Sequence, residues 1–208
     1  MCIRDSTLLD PIEGDNYETG IKGEYFDGRL NTTLAIFQTN LENMPEALSV
    51  SPTCGVTGTS KCYEAGAKVR NRGFELEISG EPLENWNLSA GYTYSDPEYV
   101  AGSTKGSDYY RKIPRRLLKV STDYRLPGAL DQWRVGGDVY AQSRTAADVS
   151  GYAIKQGGYA LLNLHAHYQI NQQFSVQYNL NNALDKVYYQ SLPTSNNFGG
   201  LYLSLIHI

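Results

Sequence analysis

The chain contains no run of about 18 apolar residues, so it holds no segment that could cross a membrane as a helix. It also lacks basic character. Lys and Arg number 18 against 22 Asp and Glu, for a net charge of −4. That balance gives no footprint for nucleic acid as a partner. Histidine is scarce, with three copies, one of them at the extreme C-terminal end. The other two, His165 and His167, sit in the middle of one alternating segment. A surface hydrolase of the Ser/His/Asp kind needs a histidine at its loop ends, and the mid-strand placement of these two disfavours it. Methionine, tryptophan and phenylalanine are few (two, two and five), while tyrosine reaches 17. The aromatic content is thus carried by a ring with a hydroxyl, which suits an interface between an apolar phase and water. Of three cysteines, Cys54 and Cys62 share one loop rich in Gly, Thr and Ser. They read as a local disulfide formed in an oxidising compartment. A metal site is the other reading, but no second ligand pair lies nearby, and no metal centre is expected.

What the chain does have is two-residue alternation. In Arg72–Ser95, Phe74, Leu76 and Ile78 alternate with Glu75 and Glu77. After a turn through Gly80–Asn85, Trp86, Leu88, Ala90, Tyr92 and Tyr94 alternate with Asn87, Ser89, Gly91 and Thr93. Strands of about 9–11 residues with one apolar, aromatic-ended face and one polar face are the unit of a transmembrane β-barrel.

The same pattern recurs along the chain. Tyr17–Phe26 and Arg29–Asn40 flank an Asp27-Gly28 hairpin signal. Arg115–Leu126 and Gln132–Ser143 flank a turn opened by Pro127-Gly128, and Tyr159–Ile170 and Gln173–Asn182 flank Asn171-Gln172. Leu41–Lys68, Asp96–Pro114, Arg144–Gly158 and Ala183–Tyr202 read as loops. The expectation is an all-β, antiparallel up-and-down transmembrane barrel segment of about eight strands, with long extracellular loops and short periplasmic turns. Trp86, Tyr124, Trp133, Tyr168 and Phe174 all fall beside short turns, as a periplasmic girdle would. Glu75, Glu77, Lys119, Asp123, Arg125, Arg134 and Asp138 share one parity, as do His165 and His167, and are expected to face the lumen. A soluble sandwich also alternates, but it does not require aromatics at the turn ends of its dry face.

The ends differ from the rest. Met1–Ser6 and Leu203–Ile208 fit neither the alternation nor the composition around them and resemble translated sequencing-adapter ends. Residues 7–202 are therefore expected to be the barrel piece, with 1–6 and 203–208 non-native, and the chain an internal piece of a longer protein.

Four motifs together resemble the TonB-dependent outer-membrane receptors. Asn71-Arg72-Gly73-Phe74-Glu75-Leu76-Glu77 is similar to that family's N-x-G-x-E-x-E strand. Tyr17-Glu18-Thr19-Gly20-Ile21-Lys22, followed by a hairpin and a strand ending in Phe37, matches in the same way, as does Pro114 before its strand. Asn179 to Tyr189 (NLNNALDKVYY) resembles the signature before the last strand. The likeness is strongest to ferric-siderophore receptors of the pyoverdine, coprogen and ferrioxamine type. It implies the C-terminal part of a barrel of about 22 strands plugged by a separate domain. It further implies a Gram-negative outer-membrane location, contact with lipid, and a transporter rather than an enzyme. The cargo would be iron held in a siderophore, with no cofactor. Coupling would run to the TonB complex through an N-terminal plug this chain does not contain. A general porin and a barrel-borne surface hydrolase are the alternatives.

Candidate ligand contacts are Tyr99, Tyr109, Tyr110 and Arg111 in one loop and Tyr188 and Tyr189 in another, since rings plus Arg suit a planar, anionic chelate. The plainer reading of these residues is an outer aromatic girdle and a solvated loop. His165 and His167 could hold a metal and Glu75 and Glu77 could be an acid–base pair. For both, lumen polarity is the preferred reading, because no third ligand and no nucleophile accompany them.

Overall fold

The computed structural model describes residues 9–48, 62–149, 152–192 and 202–204. Its main sheet has eight strands in the order β1-β2-β3-β4-β5-β6-β9-β10. These are β1 (Glu13–Tyr25), β2 (Leu30–Leu48), β3 (Cys62–Leu83), β4 (Trp86–Ala101), β5 (Arg116–Arg125), β6 (Trp133–Gln142), β9 (Tyr159–Gln169) and β10 (Ser175–Leu180). Two short pairs stand apart: β7 (Thr145–Val149) with β8 (Tyr152–Gln156), and β11 (Tyr188–Ser191) with β12 (Tyr202–Ser204). The up-and-down order expected from the alternation is the order observed.

The turns follow local chemistry. Asp27 and Gly28 have φ of 57° and 82°, and the Arg29 N–H donates to the Phe26 carbonyl. Positive φ at both central residues marks the mirror-image turn that matches strand twist, and glycine takes it without strain. At the β9–β10 turn the Asn171 carboxamide oxygen accepts from the N–H groups of Gln173 and Phe174. Pro127-Gly128 opens a single 3-10 turn over Gly128–Leu130. The central turn is tighter than expected. β3 continues through Gly80 to Leu83, leaving Glu84 and Asn85 as the turn. Gly80 makes this possible with φ of 143°, because a Cβ there would lie 1.9 Å from the Arg29 carbonyl oxygen.

Register fixes the two faces. Trp86↔Tyr124, Ala90↔Val120, Val120↔Val139 and Val139↔Leu162 place the apolar residues of four strands together. Asn87↔Asp123, Ser121↔Asp138, Arg125↔Arg134 and Arg134↔His167 place the polar ones on the other side. Phe74 lies 5.7 Å from Tyr92 and 5.8 Å from Tyr94, ring to ring, so it shares the apolar face. Alternation then puts Glu75 and Glu77 on the polar face with Asp123, Arg134, Asp138, His165 and His167. The apolar face is not covered by protein: Phe174, Val176, Tyr178 and Leu180 are exposed. Among the described residues the buried apolar side chains are few and mostly small, which is the signature of a sheet whose core is lipid. The Trp133 and Tyr168 rings meet at 4.5 Å beside the short turns. The Trp86 indole N–H donates to the Thr122 hydroxyl at 2.7 Å. Arg116, the charge on the apolar face of β5, stands at the strand's opposite end, 5.9 Å from the Tyr94 ring.

Several expected loops are partly strand. β2 extends to Leu48 and β3 begins at Cys62, inside Leu41–Lys68; β4 runs to Ala101, inside Asp96–Pro114. Arg144–Gly158 contains the β7–β8 hairpin, and Ala183–Tyr202 contains β11. The reason is common to all. A backbone ladder needs paired N–H and C=O groups, not an apolar face. Where a strand runs beyond the length that lipid demands, its side chains stop alternating while its ladder continues. Leu203 and Ser204, from the segment expected to be non-native, pair with Tyr189 and Tyr188. Cys54 lies outside the described residues, and its pairing with Cys62 does so with it.

The chain divides into two compact units. One comprises Met1–Glu18, Phe37–Gly73 and Asp96–Tyr110; the other comprises Thr19–Ile36, Phe74–Ser95 and Arg111–Ile208.

The two-face assignment is testable. Val139→Arg in the intact barrel is expected to lower stability by about 2–4 kcal/mol, the cost of a cation near the lipid midplane. Asp138→Asn, one residue away on the other face, is expected to change it by under about 1 kcal/mol. Denaturant unfolding in lipid vesicles reads both, and equal effects would refute the assignment.

Candidate ligand-binding site

In the first unit the chain beyond Pro97 folds back on the end of β4. Tyr99 N–H donates to the Ser107 carbonyl at 3.0 Å, Gly106 N–H to the Tyr99 carbonyl at 2.8 Å, and Tyr109 N–H to the Pro97 carbonyl at 3.0 Å. Gly102 and Gly106 take the reversal with φ of 95° and 83°. The outcome is a tyrosine cluster. Tyr109 meets Tyr99 edge-on at 5.3 Å and Tyr110 at 5.7 Å. Tyr110 holds φ of 53° and is exposed. Such contacts contribute about 0.5–1.5 kcal/mol each beyond area. Burial first, then the neighbouring Tyr109 and Glu46, raise the Tyr99 phenol above its ordinary pKa.

Glu46 anchors this loop. Its carboxylate accepts from the Ser103 N–H at 2.7 Å and the Ser103 hydroxyl at 2.6 Å. A Cβ at Gly102 would come within 2.8 Å of the same carboxylate, which explains glycine there. Glu98 is held by Arg70 at 2.9 Å, with Arg72 at 3.7 Å.

The second unit holds the other expected contacts. Arg111 is engaged: its guanidinium donates to Asp148 at 3.1 Å, and its carbonyl accepts the Ala146 N–H. Tyr188 and Tyr189 part company. The Tyr188 ring stacks on Tyr159 at 4.6 Å, and Tyr159 lies 6.1 Å from Tyr140. Tyr140 and Tyr159 are on the polar face, opposite Lys119 and Gln142 in register. Three rings thus line up on the face that carries the charges. The turn that delivers Tyr188 is built by Asn182, which has φ of 50°. Its carboxamide accepts the Lys186 N–H at 2.9 Å and donates to the Lys186 carbonyl at 3.0 Å. Its own N–H donates to the Asn163 side chain. This is the physical content of the NLNNALDKVYY stretch.

Tyr140, Tyr159 and Glu46 were missing from the sequence-based set. For the tyrosines a signal existed: each sits at a polar-parity position near the loop end of its strand. Glu46 carried none, because its partner Ser103 is 57 residues away.

Near the short turns of the second unit, Asp123, Arg134 and His165 meet on the polar face. Asp123 receives Arg134 at 3.2 Å and His165 Nε2 at 3.2 Å. His165 reaches Asp123 across Gly136, which lies between them in register. A Cβ at position 136 would fall 2.5 Å from His165 Nε2. These residues line a cleft of about 440 Å³ with Arg125, His167 and Gln177. No group of three or more His, Cys, Asp and Glu able to hold a metal occurs among the described residues.

A two-faced sheet with aromatic ends and tyrosine-lined loops can be compared with known proteins. Residues 4–183 match the family model described as TonB dependent receptor-like, beta-barrel. The chain belongs to this family. The ferric-pyoverdine M114 receptor PbuA of Pseudomonas sp. strain M114 is 39% identical over 203 residues, 95% of this chain and 24% of that protein. The ferripyoverdine receptor of Pseudomonas aeruginosa is 37% identical over 206 residues, 94% of this chain and 25% of that protein. The crystal structure of the latter's outer-membrane receptor bound to ferripyoverdine superposes with a TM-score of 0.80 at 35% identity. It covers 95% of this chain and 26% of that one. The chain therefore spans about a quarter of the length of these relatives.

The Glu46 anchor gives a pH prediction for this TonB-dependent receptor barrel. Glu46 lies 16 residues into β2, past the stretch of about 10 that crosses lipid. The Ser103 hydroxyl, then its N–H, holds the carboxyl below its ordinary pKa. A lowered folded value means that the contact stabilises above the ordinary carboxylate range and is lost as pH falls through the lowered value. Amide exchange at Ser103, corrected for intrinsic rate, is expected to accelerate on acidification, and Glu46→Gln to abolish that dependence. Protection at Ser103 that is the same in wild type and Glu46→Gln at every pH at which the barrel stays folded would refute the anchor.

Proposed function

We propose that the chain is a barrel segment of a Gram-negative outer-membrane receptor that takes up a ferric siderophore of the pyoverdine class. What carries the reading is that relatives matching nearly the whole chain are named ferric-pyoverdine receptors, combined with tyrosine clusters where strands give way to loops. The apolar face contacts lipid. The polar face, with Glu75, Glu77, Asp123, Arg134, Asp138, His165 and His167, lines the lumen. Iron is the cargo within its chelate, and no resident cofactor or reaction is assigned. Import draws on the TonB complex through an N-terminal plug belonging to the longer protein.

The chemistry of contact differs between the clusters. Tyr99, Tyr109 and Tyr110 offer ring faces and phenol donors to a flat, anionic chelate. Tyr188, on its stack, offers the same. Arg111 acts by holding the Asp148 hairpin rather than by presenting a free cation.

In the intact receptor, replacing both Tyr109 and Tyr110 by Ala is expected to weaken ferric-pyoverdine binding about tenfold, matching the loss of one or two ring contacts. Equilibrium binding read by ligand fluorescence, with iron uptake in cells with and without TonB, measures it. TonB-independent uptake would refute the coupling to TonB, absence of uptake would refute the transporter reading, and unchanged affinity would remove Tyr109 and Tyr110 from the site.

A further inference from the structure

The β11 strand is poorly supported. Its partner β12 has three residues, and the register between them slips between Tyr189 and Ser191. A strand so short does not hold its own geometry. Yet Tyr188, its first residue, is stacked on Tyr159 with an interplanar angle of 29°.

The missing support comes from one side chain. Gln156 Oε1 accepts the Tyr189 N–H at 2.5 Å, and Gln156 Nε2 donates to the Tyr189 carbonyl at 2.9 Å. A carboxamide presents an acceptor and a donor side by side, as a peptide group does. Gln156 therefore completes the pairing of Tyr189 as a neighbouring strand would. It stands at the end of β8, opposite Thr145 in register, and Thr145 is buried. Ile154 of the same strand packs against buried Ala147 and Leu192. The hairpin thus offers Gln156 from a fixed base.

We propose that Gln156 is a positioning residue for ligand binding. By gripping the backbone of Tyr189 it sets the adjacent Tyr188 ring against Tyr159 and Tyr140, forming a wall for the flat, conjugated part of a ferric chelate. The inference rests on the receptor reading above. It assigns to the β7–β8 hairpin, which carries no aromatic wall residue itself, control over the shape of that wall.

The isosteric variant Gln156→Glu supplies the test, alongside Gln156→Ala, both in the intact receptor. At neutral pH a carboxylate can accept the Tyr189 N–H but sets an anionic oxygen against the Tyr189 carbonyl. Protonation restores one donor and one acceptor, and so the grip. Both variants are expected to bind ferric pyoverdine about tenfold more weakly near neutral pH, mainly through faster dissociation. Half-saturation for iron uptake should rise while maximal uptake is unchanged. The Glu variant should regain affinity, relative to wild type at the same pH, as pH falls through the ordinary Glu range to roughly 4, and the Ala variant should not. Wild-type affinity in either variant at neutral pH overturns the proposal, as does a Glu variant whose deficit persists on acidification. Wild-type receptor that fails to bind ferric pyoverdine overturns the receptor reading itself, a result distinct from wild-type binding that ignores position 156.

Discussion

Backbone hydrogen bonding within lipid is the constraint on which the remaining features depend. Hydrocarbon offers no partner for an N–H or C=O, so each crossing segment must find its partners in neighbouring strands. Once that is met by an antiparallel ladder, side chains divide strictly between two faces. Val120, Val139 and Leu162 on one row and Ser121, Asp138 and Asn163 on the next follow from it. So does the small buried core, because side chains directed at lipid need no protein cover.

The polar face obeys a different rule. There, charged groups pair laterally, and glycine makes room. His165 reaches Asp123 two strands away because the residue between them has no side chain. Asp123 is thereby shared between an imidazole and a guanidinium. This resembles the treatment of Glu98 by Arg70 and Arg72 in the other unit. Half-exposed pairs of this kind contribute modestly to stability. For Asp123, Arg134 and His165, which share the polar face, the contacts also fix where charge stands.

Legibility in the sequence followed the same division. Wherever lipid imposes period two, strands and faces could be read from residues alone, as at Phe74–Ile78 and Trp86–Tyr94, although the turn between these two was read too long. The far ends of β2, β3 and β4 could not be read, since a solvated ladder places no demand on side chains. The β7–β8 hairpin was hidden for a related reason: its buried positions are Thr145, Ala146 and Ala147, too small to register as a core. Of the tyrosines expected to meet ligand, Tyr99, Tyr109 and Tyr110 come together as a cluster. Tyr188 and Tyr189 diverge because neighbours in a strand point to opposite sides. Tyr140 and Tyr159 would have emerged had parity been asked of tyrosines as well as of charges.

The β7–β8 hairpin is fastened at two places far apart along the chain. Ala146 and Asp148 bind Arg111 at one, and Gln156 binds Tyr189 at the other. A member fixed in this way behaves as a crossbar. The link from Arg111 to Tyr189 thus runs through the hairpin and not along the membrane-crossing strands. Two connections that look independent in the sequence are in this sense one part, joined through a five-residue strand pair that stands apart from the eight-stranded ladder.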